Sequence, residues 1–299
     1  NLVTIVILSR GKCGLSKCVT RYLIAMAAAD LLVVILDVIL KQLPISYRKA
    51  FDFLQSMRMC NIHAGLLHAA TDCSVWFTVT FTFDRFVAIC CQKLKTKYCT
   101  ERTAAVVLGT VTALTGLKNM FWCFMFRGYY RFSNLHWFCL RRYYLDRAVF
   151  TVLEILHFIF TPCIAFVLIL LLNTLTVRHI LVASKSRRRL RGPSTAESPR
   201  DPEMDSRRKC IISMFVISGN FILLWALYMV HSIYLRVFYS IGDVSVHLHR
   251  YVTVLAAMLQ LLSCCTNTGI YAVTQTKFRG QLQDAANNTF TQFVKFIKP

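Results

Sequence analysis

Six long apolar stretches divide the sequence, and shorter polar or basic stretches separate them. An α-helix needs roughly 20 residues to cross the hydrocarbon layer of a bilayer, which is about 30 Å thick, and each stretch is long enough. Their approximate bounds are Val19–Leu40, Cys60–Cys91, Thr103–Phe126, Ala148–Leu172, Cys210–Phe238 and Val252–Thr274. The pattern therefore predicts six membrane-spanning helices.

A shorter apolar run, Leu2–Leu8, precedes them and is followed by Arg10, Lys12 and Lys17. A secretory signal peptide carries its basic residues before the apolar run, so this run does not fit one. We interpret it as the inner half of a first helix whose outer half is absent from the sequence. The expected fold class is an all-α membrane protein, a seven-transmembrane helix bundle with a truncated first helix.

The expected domain organisation is one seven-helix domain over residues 1–274, with a loop at 184–209, followed by an amphipathic eighth helix and tail at 275–299. Composition agrees with a membrane protein, because 56% of the residues are hydrophobic and 16% are charged. Soluble domains have nearer a quarter charged residues.

The formal net charge of +21 could indicate nucleic-acid binding or a membrane surface, and the position of the charges distinguishes the two. If the helices alternate in direction, most Lys and Arg residues fall on one side of the membrane, in the stretches 10–21, 93–102, 178–209 and 277–298. The opposite side receives fewer, in the stretches 41–58, 118–147 and 236–250. Basic residues collect on the cytoplasmic side. We therefore expect a multi-pass plasma-membrane protein with an extracellular N-terminus and a cytoplasmic C-terminus.

The densest basic run is Arg187-Arg188-Arg189-Leu190-Arg191. It could form a docking surface for a cytoplasmic partner or a solvated loop that faces anionic membrane lipids, and the two interpretations are compatible. Binding of nucleic acid is not expected, because these charges lie in short loops between membrane spans and no nucleic-acid motif is present.

Polar residues at membrane depth are costly and usually have a function. Those in the predicted spans are Asp30, Asp37, His68, Asp72, Ser74, Asp84, Arg85, Glu154, His157, Asn220, Gln260 and Asn267. A transporter is the alternative class, but transporters usually show internal repeats and broken helices. Here no repeat is evident, and Pro162 is the only proline inside a predicted full span. An intramembrane protease would need a zinc motif or a paired catalytic set, and neither is present, so no enzyme is expected.

Several motifs agree in order and spacing. Cys60 opens the third helix 25 residues before Arg85, which ends it in Asp84-Arg85-Phe86. The others are Asn1-Leu2-Val3, Met26-Ala27-Ala28-Ala29-Asp30-Leu31, Pro162, Phe221-x-x-x-Trp225, Asn267-Thr268-Gly269-Ile270-Tyr271 and Lys277-Phe278-Arg279. Through them, nearly the whole chain resembles the rhodopsin-like (class A) G-protein-coupled receptors.

The resemblance implies a receptor that binds an extracellular ligand and activates heterotrimeric G proteins by outward movement of the sixth helix. It further implies arrestin and receptor kinases as partners and a disulfide between Cys60 and Cys139. The residues expected to carry coupling and switching are Asp84, Arg85, Phe221, Trp225, Asn267 and Tyr271. No cofactor is implied beyond an allosteric Na⁺, expected at Asp30, Ser74, Asn267, Asn1 and Ser263.

Residues 74–85 and Leu224-Trp225-Ala226 are similar to the orphan subgroup that contains probable G-protein-coupled receptor 139, which responds to aromatic amino acids. That subgroup has an acid where this chain has Leu67 and an arginine where it has Tyr228, so its usual ligand clamps are missing. The remaining candidates for ligand binding are His68, Asp72, Glu154, His157, Tyr228 and Gln260. An acid-rich aromatic cavity would suit an amine or an aromatic amino acid.

Two alternatives stay open at this stage. The acids Asp72 and Glu154 could pair with the histidines instead of contacting a ligand, because an unpaired carboxylate inside a bundle is expensive. A neuropeptide ligand is the alternative within the class, favoured if residues 118–147 and the missing N-terminus build a broad vestibule.

Three positions depart from the family pattern. Leu227 and Thr268 replace prolines of the sixth and seventh helices, so the expected sixth-helix kink loses its main cause. Arg207 stands where many members have an acid that pairs with the third-helix arginine. Like charges cannot lock the inactive state, so we expect ligand-independent activity.

Overall fold

The computed structural model describes residues 1–42, 57–124, 147–190, 202–238 and 246–297, and no β-strand occurs in these ranges. Six helical stretches within them are long and apolar enough to cross a membrane. Their bounds are Lys17–Leu40, Asn61–Cys90, Glu101–Phe124, Val152–Ala183, Ile211–Tyr234 and Tyr251–Thr274. The six predicted spans are confirmed, and the fifth extends further than expected.

The first helix, Leu2–Ser9, packs against the second and buries Thr4, Ile7 and Leu8. In the turn that follows it, Gly11 and Gly14 both have a φ of 68°, a conformation that glycine adopts without steric cost. The short Leu2–Leu8 run is therefore a helix of the bundle, as the sequence predicted.

The second helix begins at Lys17, where the hydroxyl of Ser16 accepts a hydrogen bond from the Val19 amide at 3.4 Å. Such a cap satisfies one of the free amides at a helix start. The helix runs to Val34 and continues as a π-helical segment, Ile35–Gln42.

The third helix, Met57–Cys90, is the centre of the bundle and contacts the second, fourth, fifth and sixth helices. A short connecting helix, Gln92–Tyr98, leads to the fourth helix, Glu101–Asn119. A 3₁₀ segment, Met120–Phe124, extends the fourth helix. Lys118, counted with the basic stretch 118–147, therefore lies within the fourth helix, as the predicted span Thr103–Phe126 had it, and not in a loop.

The fifth helix contains Pro162 in a π-helical turn, Ile159–Cys163, which joins Arg147–Phe158 to Ile164–Leu190. Proline lacks an amide hydrogen and its ring clashes with the preceding turn, and a widened turn accommodates both effects. The sixth helix, Pro202–Phe238, is one uninterrupted α-helix, in line with Leu227 in place of a proline. Both helices extend into the stretch 184–209 that was expected to be a loop.

The seventh helix, Val246–Thr274, is followed by the eighth, Thr276–Ile297, which is longer than the short helix expected. The eighth helix is amphipathic at its start, because Phe278 is fully buried while Lys277 and Arg279 are exposed. A Cβ atom on Gly14 would lie 2.8 Å from Lys277 Nζ. The turn after the first helix therefore lies close to the start of the eighth helix.

The outer faces of the helices are strongly apolar. Leu117, Val167, Leu223 and Val273 each expose more than 60% of their surface. Soluble proteins rarely expose extended apolar faces of this kind, whereas lipid-facing helices do so throughout. The bundle is therefore an all-α membrane protein, and its buried core lies between the helices.

Candidate functional site

Near the C-terminal end of the third helix, Asp84 and Arg85 form a buried ion pair. Arg85 donates from Nε to Asp84 Oδ2 at 3.0 Å and makes a second, shorter contact from Nη2. The guanidinium also lies over the ring of Phe81, 5.9 Å from its centroid. Arg85, which is expected to contact a G protein, is thus paired with the adjacent Asp84 in this structure.

Two cysteine thiols complete the surroundings of Asp84. Cys18 of the second helix donates to Asp84 Oδ1 at 3.3 Å, and Cys99, in the turn before the fourth helix, donates to the Asp84 carbonyl at 3.6 Å. Burial, together with the nearby Asp84 carboxylate, raises the pKa of the Cys99 thiol to about 12. The Cys99 thiol therefore acts as a neutral hydrogen-bond donor.

A polar cluster in the middle of the bundle centres on Asp30, which is buried. Ser74 donates to Asp30 Oδ1 at 2.5 Å, and Asn267 Nδ2 donates to Asp30 Oδ2 at 2.6 Å. The cluster links the second, third and seventh helices, and it joins three of the five residues expected to hold Na⁺.

The other two expected sodium ligands bond elsewhere. Asn1 Nδ2 donates to the Cys264 carbonyl at 2.8 Å, and Ser263 donates to the Gln260 carbonyl at 2.8 Å. On the seventh helix, the Cys264 carbonyl lies within one turn of Asn267, and the Gln260 carbonyl lies about two turns before it. Asp30 and Ser74 provide oxygen atoms suited to a hard cation, whereas Asn267 turns its amide nitrogen toward Asp30. The donor set thus fits Na⁺ in part.

The aromatic pair of the sixth helix is packed as one unit. The ring centroids of Phe221 and Trp225 lie 5.2 Å apart. Tyr228 contacts Trp225 edge to face, with 5.8 Å between the ring centroids. The indole nitrogen of Trp225 donates to Ser263 at 3.0 Å, which ties the sixth helix to the seventh. A movement of Trp225 would therefore disturb both helices.

Tyr271, near the C-terminal end of the seventh helix, is fully buried and packs edge to face against Phe278, with 5.9 Å between the ring centroids. Its hydroxyl has no hydrogen-bond partner among the described residues. A buried hydroxyl without a hydrogen-bond partner lowers the stability of the folded state. A rearrangement that gave the Tyr271 hydroxyl a partner would therefore be favourable.

Two of the expected ligand-binding residues meet between the third and fifth helices. The ring of His68 lies 5.1 Å from that of His157, nearly perpendicular to it. Both rings also contact Trp122 of the 3₁₀ segment, on which His68 stacks at 3.9 Å. Glu154, one turn before His157, is half-buried.

Asp72 lies one helical turn beyond His68 and has a partner that the sequence did not indicate. Lys118 Nζ approaches Asp72 Oδ2 to 2.7 Å, and Asn119 Nδ2 donates to the same oxygen at 2.5 Å. Lys118 also donates to Thr161 of the fifth helix at 2.5 Å. The alternative that Asp72 pairs with the histidines was wrong, because the fourth helix supplies an ammonium group instead.

Two further ligand candidates lie apart from this group. Tyr228 packs on Trp225 and on Phe158, 6.5 Å away, while Gln260 is half-buried on the seventh helix, one turn before Ser263 and Cys264. The expected disulfide partner Cys139 falls outside the described residues, as does the side chain of Cys60, so that pairing stays a prediction. The side chain of Arg207 is likewise outside them.

Sequence reasoning missed Lys118, Asn119, Trp122 and Cys18. The available signal was weak but present: Lys118 and Asn119 interrupt an apolar run that resumes with Met120-Phe121-Trp122. Charged residues flanked on both sides by apolar ones at membrane depth usually pair with another polar group. Nothing in the sequence indicated that Cys18 reaches Asp84.

The family model described as 7 transmembrane receptor (rhodopsin family) matches residues 1–271 of the chain. The match spans all seven helices, and it covers Asp30, Asp84-Arg85, Trp225 and Asn267, which the structure places in buried polar and aromatic contacts. The family is one of receptors and not of enzymes. With its helical bundle and its buried Asp84–Arg85 pair, this chain belongs to the rhodopsin family of seven-transmembrane receptors and is a G-protein-coupled receptor.

Proposed function

We propose that this receptor binds a small extracellular ligand among its third, fifth, sixth and seventh helices and activates heterotrimeric G proteins. The observation that carries the proposal is the connection from Trp225 through Ser263 to the turn of the seventh helix that holds Asn267, which in turn donates to Asp30 of the second helix. A ligand that displaces Trp225 would loosen the contact between the sixth and seventh helices. The inner end of the sixth helix would then swing outward and expose Arg85.

The proposed orientation has the Arg85 end of the bundle in the cytoplasm, because most basic stretches lie at that end. The G protein would dock there, and arrestin and receptor kinases would use the same face. The run around Arg187–Arg191 would contact anionic lipids or a partner. A disulfide between Cys60 and Cys139 would tether the second extracellular loop to the third helix.

Membership of the orphan subgroup around probable G-protein-coupled receptor 139 is part of the proposal and rests on residues 74–85. The ligand class that follows is an aromatic amino acid or an amine, bound near His68, Asp72, Glu154, His157, Tyr228 and Gln260.

The test is G-protein dissociation in cells across the four Gα classes, for the receptor and for Arg85→Ala. We expect a basal signal, because Arg207 cannot pair with Arg85, and we expect Arg85→Ala to abolish it. Arg207→Glu should lower the basal signal severalfold, while Arg208→Glu, the same charge change at the next position of the chain, serves as the matched control. A basal signal that survives Arg85→Ala at equal surface expression would contradict the coupling mechanism.

A further inference from the structure

One side chain of the fourth helix joins that helix to two of its neighbours. Lys118 Nζ lies 2.7 Å from Asp72 Oδ2 of the third helix and 2.5 Å from Thr161 Oγ1 of the fifth. Asp72 and Thr161 are buried, and the side chain of Lys118 is 29% exposed. Hydrogen bonds from a charged donor are stronger than those between neutral groups. We call these three side chains the Lys118 lock.

The fifth-helix end of the lock lies in the π-helical turn, Ile159–Cys163. Thr161 directly precedes Pro162, which has no amide hydrogen to give to the helix. Turns of this kind are rare and occur mostly as single turns inside α-helices, frequently at functional sites. Because the turn lacks one backbone hydrogen bond, its position depends more strongly on contacts from outside the helix. The bond from Lys118 to the Thr161 hydroxyl is such a contact.

The residues that follow the π turn pack against the sixth helix. Ala165 and Ile169 are both 0% exposed. They share one hydrophobic cluster with Val75 of the third helix and with Phe221 and Trp225 of the sixth. A π turn contains about one residue more than an α turn, and one residue corresponds to about 100° of rotation in an α-helix. A shift of this turn along the helix would therefore change which side chains the fifth helix presents to the aromatic pair.

The two ends of the lock differ in strength. At the third helix, the Asp72 carboxylate is held by the Lys118 ammonium and also accepts a hydrogen bond from Asn119 Nδ2 at 2.5 Å. Separating this buried ion pair would leave an uncompensated charge, which is strongly unfavourable. At the fifth helix, the lock has a single hydrogen bond to the neutral hydroxyl of Thr161. The contact that opens most easily is therefore the one between Lys118 and Thr161.

We propose that the Lys118 lock holds the π turn of the fifth helix in the non-signalling arrangement, in which Arg85 is paired with Asp84, and that the contact between Lys118 and Thr161 opens when the receptor signals. Lys118 and Thr161 are positioning residues, because they act on the aromatic pair of the sixth helix through the turn. The effect on signalling rests on the proposed function. The effect on the turn does not, and it can be measured without a G protein.

The first test is amide hydrogen exchange in the full receptor in detergent, followed by mass spectrometry of the peptide that contains the π turn. Thr161→Val keeps the shape of the side chain but removes the hydroxyl. We expect exchange in the turn to become about tenfold faster, as the loss of one hydrogen bond to a charged group would allow. Thr161→Ser keeps the hydroxyl and should exchange at the original rate. The matched control is Thr174→Val, because the hydroxyl of Thr174 is exposed and donates to the Leu170 carbonyl of its own helix.

The second test is basal G-protein dissociation in cells at equal surface expression. Thr161→Val should raise the basal signal severalfold, whereas Thr161→Ser and Thr174→Val should leave it unchanged. A contact that only stabilised the fold would lower the thermal unfolding midpoint of Thr161→Val without raising the signal. Exchange in the turn that is unchanged by Thr161→Val would overturn the proposal, and so would an unchanged basal signal in a receptor whose signal depends on Arg85.

A second disruption approaches the lock from its other end. The double variant Asp72→Asn with Lys118→Gln removes both charges and keeps a neutral polar pair, and it should reproduce the faster exchange and the higher signal of Thr161→Val. Adding Thr161→Val to it should change neither quantity further, because residues that act through one contact are not additive. Additive effects would overturn the proposal.

The two tests also separate this proposal from the proposed function. A receptor with no signal that depends on Arg85, in any variant, would contradict the proposed function. In that case, faster exchange in Thr161→Val would still support the Lys118 lock, and unchanged exchange would still overturn it.

Discussion

Burial decides the chemistry of two cysteines outside the six membrane-spanning stretches, Cys13 and Cys99. Cys13 lies in the turn after the first helix, and burial raises the pKa of its thiol above the ordinary value. For Cys99, burial and the negative Asp84 carboxylate act in the same direction and bring the pKa from 9.0 to about 12. Because only the thiolate reacts readily with alkylating reagents, both thiols should be poorly reactive in the folded receptor.

The pH dependence of alkylation at Cys99 follows from this shift. At pH 9 about half of an ordinary thiol is ionised, whereas roughly one in a thousand Cys99 thiols would be, so labelling should be several hundredfold slower in the folded state. The rate should keep rising as the pH increases to 11. Iodoacetamide labelling followed by peptide mass spectrometry measures it, with the unfolded receptor as control. Equal rates in the two states would contradict the burial of this thiol.

The same shift has a consequence for stability. Because the folded state holds the Cys99 proton more tightly than the unfolded state does, its contribution to stability is fully present below pH 9. This contribution is lost as the pH rises from 9 toward 12.

At the scale of the helices, the sequence predicted the spans well and their lateral contacts poorly. Apolar length alone located the six spans, because crossing a bilayer requires a continuous apolar helix. The family resemblance also predicted that Asp30, Ser74 and Asn267 lie close together, and the structure places them in contact. The sequence did not indicate that Lys118 pairs with Asp72, which lies on another helix. Side-chain pairing between helices depends on how each helix is rotated, and a single sequence carries little information about that.

One contact between helices has a testable energetic consequence. A Cβ atom on Gly65 of the third helix would lie 2.5 Å from Cys123 Sγ, so even alanine would not fit without movement. We expect Gly65→Ala to cost about 1–3 kcal/mol, as overpacking of a core usually does. The thermal unfolding midpoint should fall by several degrees.

Two companion variants identify the cause. Adding Cys123→Ala to Gly65→Ala removes the clashing sulfur and should restore most of the lost stability. Gly109→Ala meets nothing within 4 Å, and the better helix propensity of alanine should leave the midpoint unchanged or slightly higher. A Gly65→Ala receptor as stable as the original would show that the two helices separate easily at this point.

For the whole molecule, the turn from Ser263 to Asn267 is where two networks meet. Trp225 of the sixth helix bonds to Ser263, and Asp30 of the second bonds to Asn267. A Na⁺ ion held by Asp30 and Ser74 would stabilise one arrangement of this turn, and a ligand that moves Trp225 would favour another. We expect NaCl to raise the unfolding midpoint more than KCl does, and Asp30→Asn to remove the difference. Equal effects of the two salts on the original receptor would exclude the ion.

Both networks end in a single helical turn. The free energy of sodium binding and the free energy of agonist binding are therefore expected to depend on each other. If sodium binds there, thermodynamic reciprocity requires that the factor by which it changes the affinity for an agonist equals the factor by which the agonist changes the affinity for sodium. A titration with salt at fixed agonist and a titration with agonist at fixed salt would therefore return one coupling constant. That constant would report the coupling through the one turn of the seventh helix from Ser263 to Asn267, and measuring it requires no knowledge of the G protein.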